Sequence, residues 1–158
     1  MQNTYTLSEA QQKMEAYCAY QERCHAEVVR KLQSMHMIPE AIDLIIVHLI
    51  EQNFLNEERF ACSFARGKHR MKKWGRVRLV GELKQRNISK YNIDQALKEI
   101  AGEYEETFDS VAQHHWDGLQ EGNIMKKRRK FCDFLLRKGF ESDMVYAKMK
   151  ELENSGPL

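Results

Sequence analysis

An apolar plug recurs three times along this chain. Leu32 to Ile38, Leu83 to Ile88 and Leu135 to Phe140 each end one helical run and lead into the next. Ile42, Ile93 and Val145 then open the inward face of the following helix, at a spacing of about fifty residues. A three-helix unit of that length struggles to bury its own core, so stacked neighbours must share apolar surface. The expectation is an all-α fold, an elongated, curved array of three tandem three-helix repeats with nine helices. The repeats are drawn at residues 1–53, 54–102 and 103–158. One compact helical bundle is the rival layout.

Helical spacing runs throughout, with no convincing alternating strand. Two prolines and eight glycines in 158 residues leave few breakers. Ser8 with Gln11 reads as a capping box for a first helix to about Gln21. Cys24 to Met35 reads as a second helix with Val28, Val29, Leu32 and Met35 on one face; Pro39 opens a third carrying Ile42, Ile45, Ile46, Leu49 and Ile50. Asn56 caps a fourth to about Lys68, burying Phe60, Ala61, Phe64 and Ala65. Lys73 to Arg86 makes a fifth with Val77, Val80 and Leu83 inward, and Ser89 caps a sixth turning Ile93, Leu97 and Ile100 to one side. After Gly102, Tyr104, Phe108 and Val111 share a face; Phe131, Phe134 and Leu135 follow the break at Gly122 and Asn123. Val145, Met149 and Leu152 mark the last helix, and the tail NSGPL is expected to fray.

The same residues argue against several function classes. Cys18, Cys24, Cys62 and Cys132 form no CxxC pair and read as reduced thiols of a cytosolic protein, with Cys62 and Cys132 as small core hydrophobes. The N-terminus lacks a signal-peptide core, and the longest apolar run, Leu44 to Ile50, is broken by His48 and too short for a bilayer. A soluble, cytoplasmic protein without membrane contact is expected. His114 and His115 point about 100° apart on a helix and cannot share a metal in the usual way. Phosphate loops, HExxH, GxSxG and dinucleotide fingerprints do not occur. The reading is of a non-enzyme with no catalytic residues, metal site or cofactor.

Charge is where the sequence departs from the ordinary. A formal net charge of +2 hides roughly nine net positive charges in about twenty-five residues from Arg66 onward. Lys68, Arg70, Lys72, Lys73 and Arg76 surround Trp74, with Gly75 allowing a close approach. Arg78, Gln85 and Arg86 fall on the side away from Val77 and Val80, so their charge is expected outward. Lys126, Lys127, Arg128, Arg129 and Lys130 are consecutive cations at a helix start, where the macrodipole disfavours them. Such groups bind phosphates or acidic protein surfaces, and an aromatic among them can stack or anchor.

The stretch FLNEERFACSFARGKHRMKKWGRVRLVGELKQRNI, Phe54 to Ile88, resembles the central signature of the RecX family, bacterial regulators of the RecA recombinase. Its parts are Asn56-Glu57-Glu58-Arg59-Phe60-Ala61, the basic loop Lys68 to Gly75, and Leu83 to Ile88. Arg23 to Leu32 is similar to the family's first-repeat motif and Phe131 to Phe140 to its third. Three positions depart: Cys24 stands where a capping Ser is common, Asn56 for Asp, and Asn87 for Gly. Asparagine caps well and tolerates left-handed geometry, whereas Cys24 weakens a cap. The resemblance implies tandem three-helix units and a monomeric regulator that binds RecA and its filament on single-stranded DNA. It further implies inhibition of recombinase, ATPase and co-protease activity, within DNA repair, recombination and the SOS response. Lys68, Arg70, Lys72, Lys73, Trp74, Arg76, Arg78 and Arg86 would form one contact group, and Lys126, Lys127, Arg128 and Arg129 a second. The alternative is a helical module that grips single- or double-stranded DNA through phosphates without RecA.

Overall fold

Residues 4–156 are described by a computed structural model. Among the described residues nine α-helices follow in order: α1 (Leu7–Tyr20), α2 (His25–Ser34), α3 (Pro39–Glu51), α4 (Glu57–Gly67), α5 (Arg76–Gln85), α6 (Lys90–Ile100), α7 (Tyr104–Gly118), α8 (Ile124–Lys138) and α9 (Ser142–Asn154). A wide π-helical turn, Lys68–Lys72, extends α4, and no strand occurs among the described residues. The chain is an all-α array of tandem three-helix units. No helix among the described residues is long and apolar enough to cross a membrane.

The recurring plug has a single backbone cause. His36, Asn87 and Gly139 have left-handed φ of 61°, 59° and 97° just past the ends of α2, α5 and α8. Each lets the next residue fold back: Met37, Ile88 and Phe140 donate N–H to the carbonyls of Leu32, Leu83 and Leu135 at 3.1–3.2 Å. This Schellman closure satisfies orphan carbonyls and carries the chain into the third helix of each unit. Asparagine at position 87 fits because it tolerates the left-handed region better than most residues.

Two cores result. Ala10, Met14, Cys18, Val28, Leu32, Ile45 and Leu49 pack α1, α2 and α3 together. A second, continuous core runs from Phe60 in α4 through Leu79, Leu83, Ile93, Tyr104 and Phe131 to Leu152 in α9. Compact proteins of 18.7 kDa expose about 8,300 Å² by the usual mass scaling, whereas this chain exposes 10135 Å². That excess fits an open array and not a single compact bundle.

Several local expectations require correction. The first cap is Thr6, whose Oγ1 accepts from Glu9 N at 3.1 Å; Ser8 sits inside the first turn and the Ser8–Gln11 box does not form. Helix α5 starts at Arg76, not Lys73, which is itself left-handed at φ 60°. Its inward residues are Leu79 and Leu83, fully buried, with Val80 half-buried and Val77 58% exposed. Val77 precedes Leu79 by two residues, about 200° around the helix, and so faces solvent on the side opposite the buried pair. Ile50 is also exposed, and Phe64, Val111, Phe134 and Met149 are half-buried. Cys62 is half-buried beside Glu99 and Arg66, whereas Cys132 is buried with its thiol 3.5 Å from Met149 Sδ. Helix α9 includes Asn154 of the tail, and Pro157 and Leu158 lie outside the described residues.

The weak cap at Cys24 is compensated from the next unit. Cys24 makes no cap hydrogen bond to its helix, and its thiol donates instead to Glu27 Oε1 at 3.3 Å. Glu57 of α4 supplies the missing acceptor: its Oε1 takes the His25 N–H at 3.3 Å, and the His25 ring approaches the same oxygen. Burial pushes the Cys24 thiol up to about 11 and raises the Glu57 carboxyl above its ordinary range, with His25 opposing.

Candidate interaction surface on the second and third units

Helix α4 begins at Asn56, whose Oδ1 accepts from Arg59 N at 2.9 Å, and it buries Phe60, Ala61 and Ala65. Past Gly67 the helix widens into the π-helical turn, which folds His69 wholly inside. His69 Nδ1 lies 2.8 Å from the Trp74 carbonyl, which can only accept, so that nitrogen carries the proton. Its ring stacks on Tyr104 at 5.4 Å, and Nε2 is buried without a partner. A buried imidazole thus holds the turn that exposes Lys72 and Lys73 to solvent.

Trp74 is not a free platform. Its ring meets Phe64 edge-on at 6.2 Å and carries Lys68 Nζ at 5.2 Å and the Arg78 guanidinium at 4.1 Å. Arg78 also donates to the Arg137 carbonyl at 3.2 Å, which draws it toward α8.

Next comes the joint to the third unit. Gly75 N donates to the Lys138 carbonyl at 2.8 Å and Val77 N to the Gly139 carbonyl at 2.9 Å. Arg76 N donates to the Tyr104 hydroxyl at 3.0 Å, and that hydroxyl donates to Glu141 through a short hydrogen bond. The Arg76 guanidinium covers the Tyr104 ring at 3.8 Å and pairs with Glu141 Oε2 at 2.9 Å. Burial first, and donation to Glu141 second, lift the Tyr104 hydroxyl far above the ordinary phenol range.

The twelve candidate residues therefore divide by what already engages them. Arg70 pairs with Glu103 at 3.0 Å, Arg76 with Glu141, Arg86 with Glu82 at 3.0 Å, and Arg128 with Glu153 through two nitrogens. Lys68 and Arg78 lie over Trp74, and Lys127 lies over Trp116 at 4.1 Å. Arg86 is half-buried over Phe64 at 4.7 Å, so its charge is not presented outward. Lys72, Lys73, Lys126 and Arg129 are exposed, with no carboxylate in salt-bridge range among the described residues. Helix α8, which carries the last two, is capped by Asn123 Oδ1 accepting from Lys126 N at 3.1 Å, and Lys130 pairs with Glu121.

Two members of this surface have no local sequence signal. Glu141 lies sixty-five positions beyond Arg76, and His69 reads as one more cation in a basic run. The Lys-Gly-Phe closure at Gly139, matched to the earlier plugs, marks where α8 ends, and that this end meets the start of α5 is seen only in the fold. His115 stacks on Phe134 at 3.8 Å, while His114 is exposed.

Comparison with known proteins agrees with this architecture. Residues 56–97 match the family described as RecX, second three-helix domain, and residues 103–149 match RecX, third three-helix domain. Regulatory protein RecX of Pseudomonas savastanoi pv. phaseolicola is 31% identical over 127 residues, covering 80% of this chain and 81% of the relative. That of Finegoldia magna is 28% identical over 135 residues, covering 82% and 64%. A crystal structure of regulatory protein RecX superposes with a TM-score of 0.80 at 25% identity, over 92% of this chain and 73% of the other. RecX from Lactobacillus salivarius shares the fold at a TM-score of 0.78 and 24% identity, over 93% and 96%. With this degree of identity along four-fifths of its length, and with its second and third units each matched in register, the chain belongs to the RecX family of regulatory proteins.

Proposed function

We propose that the protein binds RecA and its filament on single-stranded DNA and holds down recombinase, ATPase and co-protease activity. The role is non-catalytic, and it operates in the cytoplasm during DNA repair, recombination and the SOS response, from a monomeric chain. Its units are divided at residues 53/54 and 102/103. The observation that carries this reading is the contrast within the basic residues. Arg70, Arg76 and Arg128 tie separate segments of the array together and Arg86 pairs with Glu82 one turn away in α5, while Lys72, Lys73, Lys126 and Arg129 have no carboxylate in salt-bridge range among the described residues. Free cations on a braced helical scaffold suit attachment to an anionic assembly in which protein and phosphate are both within reach. RecA-dependent ATP hydrolysis on single-stranded DNA tests it. Hydrolysis should fall as the protein is added, and an unchanged rate at saturating protein sinks the reading.

A second reading has one observation in its favour. Lys126 and Arg129 sit in the first turns of α8, where the helix dipole adds to their positive potential. A module that grips phosphates without RecA would use that end. Its binding to DNA alone should weaken log-linearly with salt, with a slope tracking the cations engaged.

A further inference from the structure

Between the first and second units lies an open cleft of about 930 Å³, walled by α1, α2, α4, α5 and the π-helical turn. Its charges do not balance. Three carboxylates line it, and each faces an arginine: Glu22 meets Arg59 at 2.6 Å, Glu27 meets Arg23 at 3.7 Å and Glu82 meets Arg86 at 3.0 Å. Four other cations of the wall, Arg30, Lys31, Lys68 and Lys72, have no carboxylate in salt-bridge range among the described residues. Concave walls bearing unpaired charge of one sign focus their field and gather counter-charged ligands. The basic run Lys68 to Arg78 gave no hint of Arg30 and Lys31, which arrive from α2 only when the units stack.

The apolar part of the wall narrows the ligand class. Met71 is 84% exposed at the cleft, a flexible thioether that adapts to side chains of varied shape. The ring of Tyr17 already carries Arg23 at 3.6 Å and Lys31 at 5.9 Å, and that of Phe64 carries Arg86 at 4.7 Å and Lys68 at 5.7 Å. With cations over both, these rings offer little stacking surface to the bases of a single strand, the usual platform for such binding. Carboxylates with an apolar side chain between them match the wall better than a nucleotide run does.

We propose that this cleft receives an acidic, extended segment of a protein partner. Its carboxylates would lie along Arg30, Lys31, Lys68 and Lys72, and one apolar side chain would rest against Met71. The proposal does not depend on which partner carries the segment, so it can fail while the RecA reading stands, and the reverse.

The experiment uses the full chain and a fluorescein-labelled twelve-residue peptide of Glu and Asp with one central Leu, followed by anisotropy. The double variant Lys31→Glu/Lys72→Glu should bind it roughly tenfold or more weakly, with its circular dichroism unchanged. The charge-matched control Lys90→Glu/Lys98→Glu, on exposed positions of α6, should bind it like the parent chain. Replacing the central Leu by Ser should weaken binding several-fold. Absence of peptide binding, or equal binding by the cleft variant, overturns the proposal. So does a twelve-nucleotide oligothymidylate that binds more tightly than the peptide and is lost in the same variant.

Discussion

Gly75 and Gly139 meet backbone to backbone where the second unit joins the third. A Cβ on Gly75 would fall 2.6 Å from the Phe140 nitrogen and closer still to the Gly139 carbonyl; one on Gly139 would fall 2.6 Å from the Arg78 nitrogen. The contact places the carbonyl end of α8 against the N–H end of α5, so that each helix satisfies orphan groups of the other. Their dipoles run head to tail across the joint, which adds to the stabilisation.

Gly75→Ala should therefore destabilise the protein, because its neighbours are backbone atoms that cannot rotate aside. Overpacking of this kind costs about 1–3 kcal/mol. Urea unfolding followed by circular dichroism measures it, and an unchanged midpoint would mean that the joint is slack.

Tyr104 gives a prediction in pH. Its hydroxyl is raised above the ordinary phenol value of 10.0 by burial and by donation to Glu141. Above that value the unfolded phenol loses its proton while the folded one keeps it. The folded state then holds more protons, so stability falls as pH rises, by at most about 1.4 kcal/mol per pH unit from this group. Tyr104→Phe removes that contribution. It should cost about 1–3 kcal/mol near neutrality, because Arg76 N–H and Glu141 both lose a partner. Between about pH 9 and 11 the gap between parent and variant should narrow, since the other tyrosines and lysines act on both alike. A gap that stays constant over that range would show that the hydroxyl titrates normally.

The sequence made the array legible because its cause is local. One left-handed residue after each middle helix, at His36, Asn87 and Gly139, repeats at a fixed interval and leaves the same apolar signature. The phase of α5 was not legible, because Val77, Val80 and Leu83 offer one apolar face and Leu79 with Leu83 another, and the packing against the rest of the second core selects the latter. Charge was half legible. The sequence marks where cations are dense, but Glu103 and Glu141, at the N-caps of α7 and α9, and Glu153, within α9, come from elsewhere in the chain to engage Arg70, Arg76 and Arg128. The resemblance named a whole motif, and only the fold divides it into bracing and free side chains.

Phe60 and Phe64 illustrate the division within one helix. Sequence spacing makes both core residues, yet Phe60 is 5% exposed whereas Phe64 is half-buried with Arg86 and Lys68 over its ring. Phe60→Asp should prevent folding, since an unpaired carboxylate would replace a core aromatic. Phe64→Asp should leave a folded protein with a lowered melting temperature, because the two cations can meet the new carboxylate. Thermal melts of both variants test the order, and loss of folding in the Phe64 variant alone would reverse it.

Arg76 and its neighbours Lys72 and Lys73 should likewise separate by readout. Removing Arg76 leaves Glu141 with only the Tyr104 hydroxyl and uncovers the Tyr104 ring, at a cost on the order of 1 kcal/mol for a half-exposed pair. Arg76→Ala should lower the melting temperature by a few degrees. The Lys72→Ala/Lys73→Ala variant breaks no ion pair among the described residues and should melt like the parent chain. On RecA filaments the ranking should invert. Loss of two free cations should weaken filament binding several-fold and make it less sensitive to salt, whereas Arg76→Ala, assayed well below its melting point, should bind nearly as the parent does. Strand-exchange inhibition titrated with each variant gives the comparison. If the lysine variant still inhibits at parental concentrations while Arg76→Ala does not, then Arg76 leaves Glu141 to reach its partner, and the ion pair seen here is the resting position of a contact residue.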